Sequence, residues 1–153
     1  ENVMSQVDES HQTPGRFATE RFAAELASHT IVCCANKNIF KPEYNDLITK
    51  DIVATARMIH SYVWNANKIF VGVDEGKLQE RRKLQGKAKT LCDELRQQLQ
   101  IAQKVFHFKA QKLKAWEEKI EKVEKCIDSW KEGDRKMYLE SLQKAEAKDK
   151  TGL

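Results

Sequence analysis

Histidines and cysteines are the side chains of this sequence that could hold a metal or move a proton. His29 and Cys33 stand four residues apart, so on a helix they share a face and could together hold zinc. No second pair with matching spacing follows, and no HExxH, ExxH or HxxxH pattern includes His11, His60 or His107. The pattern therefore predicts structural or boundary positions for the histidines rather than a metal site.

The four cysteines are predicted to be buried, reduced thiols. Cys33 and Cys34 are adjacent, which suits neither an ordinary disulfide nor two ligands on one helix face, and no CxxC pair occurs. Cys92 and Cys126 fall on predicted helices, mostly on apolar faces. No segment resembles a secretory signal, and no run of about 18 apolar residues could span a membrane. We therefore expect a cytoplasmic protein.

Carboxylates are abundant in the last third of the chain, but their pattern does not suit catalysis. Between positions 117 and 125, glutamates alternate with lysines at the spacings that form ion pairs on a solvated helix face. The Glu and ExxH set of di-iron bundles is missing, as are a phosphate loop, a GxSxG motif and a dinucleotide fingerprint. The sequence thus predicts no catalytic residue, no metal and no cofactor.

Positive charge is concentrated between Lys77 and Lys114. This stretch holds eleven basic residues against Glu80, Asp93 and Glu94, a net charge of +8, whereas the whole chain carries +4. A local basic field predicts a polyanionic partner, most often nucleic acid. The candidate nucleic-acid-binding residues are Lys77, Arg81, Arg82, Lys83, Lys87, Lys89, Lys104, Lys109, Lys112 and Lys114.

Several of these lysines meet at a predicted corner between two helices, where Lys109 and Lys112 stand near Lys104, His107 and Phe108. Cations beside an exposed aromatic ring suit RNA, because the backbone binds the cations while a base stacks on the ring. Lysines are also common on solvated helix faces that bind nothing. The scarcity of acidic residues within the stretch favours binding, since the cations then lack partners there.

Apolar residues recur every three or four positions and predict four α-helices. With 153 residues, 6 glycines and 2 prolines, the composition favours one all-α domain. A single helix from 77 to 138 would be about 90 Å long, so we expect a break near 109–111. The predicted helices cover residues 17–36, 43–71, 75–108 and 112–138.

Short connections make sequential helices neighbours, which predicts an antiparallel four-helix bundle over residues 17–140. Phe40 is predicted to anchor the first connection in the core, and Phe70 to belong to the buried stripe of the second helix. The polar residues 1–16 and the charged residues 141–153 are expected to form a disordered and a frayed tail. Wide apolar stripes and three tryptophans indicate self-association, through an interface that the sequence leaves undefined.

Six runs of residues carry a family resemblance through their order and spacing. They are ASHTIVCCANKNIF at 27–40, VWNAN at 63–67, ERRKLQ at 80–85, IAQKVFHFK at 101–109, LKAW at 113–116 and SW at 129–130. These runs resemble the accessory variability determinant (Avd) proteins of diversity-generating retroelements, which share a four-helix-bundle superfamily with the 23S rRNA intervening-sequence proteins. The resemblance spans about residues 19 to 138.

The resemblance implies a non-catalytic protein that assembles as a ring-shaped homopentamer. It also implies binding to the retroelement's reverse transcriptase and its template RNA, in support of mutagenic reverse transcription. This sequence departs from the family at the corner, which reads KAQK at 109–112 in place of a glycine or serine and a further arginine. The family's basic surface would carry over to Arg81, Arg82, Lys83, Lys104, Lys109, Lys112 and Lys114.

Three readings of function therefore follow. The first is a nucleic-acid-binding accessory subunit of a reverse transcriptase, acting on RNA, DNA or an RNA/DNA hybrid. The second is a helical adaptor whose basic face meets an acidic protein and which has no nucleic-acid ligand, and bound nucleic acid after purification would distinguish it from the first. The third is a bundle enzyme that binds a metal or cofactor, which would require bound metal by elemental analysis.

Overall fold

The structure, a computed structural model, describes residues 15–152; residues 1–14 of the tail predicted at 1–16 lie outside this range, as does residue 153. Within it there are four α-helices and no strand, which confirms the prediction of an all-α fold. The helices are α1 (Arg16–Cys34), α2 (Lys50–Asn67), α3 (Glu75–Phe106) and α4 (Ala110–Lys150), and a 3₁₀ turn (Pro42–Tyr44) and a π-helical turn (Asn45–Thr49) lead into α2.

The four helices pack around a common hydrophobic core. Contacts run from α1 to α2, from α2 to α3, from α3 to α4 and from α4 back to α1. Every helix contributes side chains to the core at the predicted three- and four-residue spacing, including Leu26, Ile59, Leu95 and Trp116. None of the helices between residues 15 and 152 combines the length and apolar character that crossing a membrane requires.

The connection between α1 and α2 is anchored by Phe40, as predicted. Its side chain is buried, and its ring centroid lies 5.0 Å from that of Phe106, 5.8 Å from that of Phe108 and 6.0 Å from that of Trp116. Aromatic rings at these separations add favourable edge and offset contacts to the burial of their area. The connector therefore joins the two ends of the α3–α4 corner to the core.

Helix α2 ends earlier than predicted, and Phe70 lies outside it. Its side chain is 81% exposed, so its assignment to the buried stripe was wrong. The physical reason is a capping interaction that sequence periodicity does not reveal. The Arg81 guanidinium donates to the carbonyl oxygen of Ala66 at 3.2 Å and to that of Ile69, so these carbonyl groups at the end of the helix are satisfied by a side chain.

The break between α3 and α4 falls at residues 107–109, next to the predicted position. His107 turns the chain with a φ of 59°, the left-handed conformation that helix ends often adopt. The following residue, Phe108, points into the core rather than to solvent. The corner therefore forms without glycine, because His107 adopts the left-handed conformation and the buried Phe108 ring fixes the chain after the turn.

Helix α4 continues to Lys150 instead of ending near Tyr138. Residues 141–150 consist mainly of lysine, alanine and other residues that favour helix, and no glycine interrupts them before Gly152. Side chains from 143 to 150 are all exposed, so this last part of the helix carries no core contacts. The expectation of a frayed tail at residues 141–150 is corrected to a solvated helical extension.

Candidate nucleic-acid interface

Arg81 was predicted to contact nucleic acid, but its guanidinium is buried inside the protein. Nη1 lies 2.6 Å from Oδ1 of Asp134, and the side chains are 5% and 1% exposed. Gln85 donates to the other carboxylate oxygen of Asp134 at 3.0 Å, and the Arg81 guanidinium also lies over the ring of Trp130. Arg81 is therefore a structural residue of the bundle, and we remove it from the candidate interface.

Three further cations of the basic stretch also have acidic partners. Lys89 meets Asp128 at 2.8 Å, and Arg96 pairs with Glu124. The hydrogen bonds to these carboxylates are the main cause that raises the pKa values of Lys89 and Arg96, and the adjacent negative charges add to the effect. Lys77 forms an exposed pair within its own helix. The expectation that the cations lack partners is thus partly wrong, because helix α4 supplies carboxylates that are distant in the sequence.

The remaining seven cations form no ion pair with the described residues and fall into two groups. The lysines at 83 and 104 are 21 residues apart on α3, which corresponds to about 30 Å along a helix. One continuous site was predicted, and the structure separates it into two patches. We call them the α3 patch, consisting of Arg82, Lys83 and Lys87, and the corner patch, consisting of Lys104, Lys109, Lys112 and Lys114.

Two of the three members of the α3 patch line an open groove between α2 and α3. Lys83 and Lys87 line this groove together with Tyr62, and the Lys87 ammonium lies 5.5 Å from the centre of the Tyr62 ring. Arg82 faces the other way, toward α4, where its charge helps to lower the pKa of Glu132 after the larger effect of Arg135. Lys83 and Lys87 are therefore the cations of this patch that can meet an external anion most freely.

The corner patch carries exposed lysines but lacks the predicted exposed ring. Phe108 is buried against Phe40 and Trp116, so its expected role in stacking on RNA bases is corrected. Lys104, Lys109 and Lys114 are exposed, and Lys112 is partly buried. The patch can therefore attract phosphate groups, but Phe108 gives it no exposed ring on which a base could stack.

His29 and Cys33 do approach each other, with Nε2 3.5 Å from Sγ. Burial, followed by the charges of Lys119 and Lys112, lowers the pKa of His29, and the ring packs edge-on against Trp116. No group of three or more possible metal ligands occurs in the described part of the chain. His29 therefore has the contacts of a residue at the boundary of the core.

All four cysteines of the sequence are free thiols in the structure. Burial is the main cause that raises the pKa of Cys34, and likewise that of Cys92, to about 12. A thiol with such a pKa carries almost no thiolate at neutral pH and is a poor nucleophile.

Two aromatic residues on α2 lie at the surface but were not among the predicted site residues. Tyr62 lies beside Lys87, and Trp64 is half-exposed. Trp64 directly follows Val63 of the buried stripe, so its place on a helical wheel could have indicated an outward position.

The fold and these patches define a basic all-α bundle with separate cationic surfaces. Comparisons with models of known protein families, with curated proteins and with solved structures found no match.

Proposed function

We propose that this chain is a non-catalytic nucleic-acid-binding accessory protein of a diversity-generating retroelement. It binds a reverse transcriptase and its template RNA, and it supports mutagenic reverse transcription. The ordered runs of residues that resemble Avd proteins support the retroelement assignment. The four free cysteines agree with action in the cytoplasm, where thiols stay reduced.

The observation that carries the proposal is the presence of two cationic patches without described acidic partners. Such surfaces attract polyanions through the release of counterions from the phosphate backbone. The refined candidate residues are Arg82, Lys83 and Lys87 in the α3 patch and Lys104, Lys109, Lys112 and Lys114 in the corner patch. The distance between the patches suits a long ligand, such as an extended or folded RNA, better than a small anion.

We further propose that the helices run antiparallel. Along α3, Lys89 pairs with Asp128 and Arg96 with Glu124, so partner numbers on α4 fall as those on α3 rise. The same trend holds toward α2, where Arg81 meets Ala66 and Gln98 meets Thr55. Short connections between the helices support the same arrangement.

The proposed assembly is a ring-shaped homopentamer. Several large apolar side chains are exposed in the isolated chain, which is the kind of surface that oligomer interfaces bury. They include Val32, Leu47, Phe70 and Ile101. The number of subunits comes from the resemblance alone.

The same exposed apolar residues favour a second candidate, a helical adaptor that binds an acidic protein. In that case the cationic patches would steer the partner and the apolar residues would hold it. This candidate requires no nucleic acid.

A native mass spectrum of the protein purified without nuclease treatment tests the proposal. A species near five times 17.7 kDa that carries RNA, and loses it at high salt, is the expected result. A monomer or dimer without nucleic acid would exclude the ring and favour the adaptor.

A further inference from the structure

The three tryptophans of this chain differ sharply in their exposure. Trp116 and Trp130 are fully buried, whereas the side chain of Trp64 is 46% exposed. Its neighbours Val63 and Ala66 fill the core-facing positions of α2, which directs Trp64 outward. Trp64 is therefore the one tryptophan of the sequence that can meet a ligand or a partner.

Trp64 and three cations form a stripe along the outer side of α2. Lys50, Arg57 and Trp64 are seven residues apart, which is nearly two helical turns, and Lys68 follows four residues later. All four side chains are exposed, and none of the three cations forms an ion pair within residues 15–152. The one acidic residue of α2, Asp51, lies away from this stripe on the helical wheel.

The immediate surroundings of Trp64 supply the other groups that a nucleotide needs. The Lys68 ammonium lies 5.6 Å from the centre of the indole ring, and the His60 ring lies 5.9 Å away at an angle of 53°. Ser61 and Asn65 complete an open depression around the indole. The depression thus combines an aromatic surface, a cation and an amide that can both donate and accept hydrogen bonds.

We propose that the stripe formed by Lys50, Arg57, Trp64 and Lys68 binds single-stranded nucleic acid, with one unpaired base stacked on Trp64. The phosphates on either side of that base then meet Lys68 and Arg57. This inference rests on the proposed function and adds to it a stacking contact with a base, beside the contacts that cations make with phosphates. Exposed aromatic rings that alternate with cations are the usual means of holding single strands without sequence preference.

The stripe lies on the α1–α2 side of the molecule, so it is distinct from the α3 patch. Arg57 also borders a second depression, which is lined by Ile31, Cys34 and Val53 between α1 and α2. Lys83 and Lys87 line the groove on the opposite side of α2, with Tyr62. A strand that engages both surfaces would pass around α2.

Binding of two RNA probes to the full chain tests the inference. Both are about twelve nucleotides long and carry the same charge, but one contains adenine bases and the other has abasic sites throughout. The protein is expected to bind the adenine probe about tenfold more tightly than the abasic probe. The adenine probe should also quench tryptophan fluorescence, because the indole of Trp64 is accessible and the other two are not.

The variant Trp64→Ala is expected to lower affinity for the adenine probe to that for the abasic probe, and to leave the abasic probe unaffected. Trp64→Phe should restore part of the difference, since a smaller ring still stacks. Lys83→Gln with Lys87→Gln should weaken both probes equally and keep their ratio. Helical circular dichroism should remain unchanged in all variants, because these side chains lie outside the core.

Equal affinity for the two probes in the unmodified protein would overturn the inference while leaving the proposed function intact. So would an equal effect of Trp64→Ala on both probes. If Trp64→Ala lowers the mass of the native particle, the stripe is an interface with a second copy, and the inference is also overturned. If neither probe binds, the proposed function fails together with the inference.

Discussion

Arg81 on α3 and Asp134 on α4 form a buried ion pair, with Nη1 of Arg81 2.6 Å from Oδ1 of Asp134. The same guanidinium caps the end of α2 through the carbonyl groups of Ala66 and Ile69. One side chain of the basic stretch therefore joins three helices. Its charge is used inside the fold, and the surface loses one predicted contact.

Replacing Arg81 with methionine is expected to destabilise the fold by about 3 kcal/mol, because Asp134 loses a buried cationic partner. Urea denaturation followed by circular dichroism measures this loss. The double variant Arg81→Met with Asp134→Leu should be less destabilised than the sum of the single variants, with a coupling energy of about 0.5–3 kcal/mol. Simple additivity would show that the two residues do not act as a pair.

The α3 patch is expected to contribute directly to the salt dependence of RNA binding. Changing Lys83 and Lys87 to glutamine should reduce the log–log slope of affinity against salt by about 1.4, since each contact to a single strand contributes about 0.7. Titrations at several salt concentrations measure the slope.

A matched control for this test neutralises two cations on the exposed side of α4. Lys125 and Arg135 form ion pairs with Glu121 and Glu132, so changing both to glutamine alters the net charge equally and leaves the α3 patch intact. The control should keep the original slope. An equal reduction in both variants would mean that RNA responds to net charge alone.

Phe40 and Phe70 offer a comparison of one substitution in two environments. Phe40→Ala removes a buried ring that contacts three other aromatic rings, so it should cost about 3–5 kcal/mol of unfolding free energy. Phe70→Ala removes an exposed ring and should change stability by no more than about 0.5 kcal/mol. Chemical denaturation of both variants checks the pair. A comparable loss in Phe70→Ala would place that ring in a contact that the isolated chain does not show.

His29 should make the stability of the fold depend on pH. Because its pKa is lowered in the folded chain, the unfolded chain binds the proton more readily as pH falls below the ordinary value of 6.5. Stability should therefore be fully present above that pH and decrease as pH falls toward the folded pKa. His29→Gln is expected to flatten this part of the profile of unfolding free energy against pH. The same change at His60 serves as the control, and an unchanged profile in His29→Gln would contradict the assignment.

The sequence by itself determined that the chain forms four helices and which of their faces are buried. Leu26, Ile59, Leu95 and Trp116 recur at helical spacing with their neighbours, and such local periodicity depends only on the geometry of one helix. The break between α3 and α4 also followed, because an uninterrupted helix would be too long for a compact domain. These features require no knowledge of which helices touch.

Only the tertiary structure decided which basic residues remain available for a ligand. Arg81 and Lys89 meet carboxylates that follow them by 53 and 39 residues, and no local pattern predicts pairs at such distances. The exposure of Phe70 and the burial of Phe108 likewise depend on how the chain turns after each helix ends. Charge and periodicity are properties of the sequence, whereas the partners of a charge or a ring depend on which helices the fold brings together.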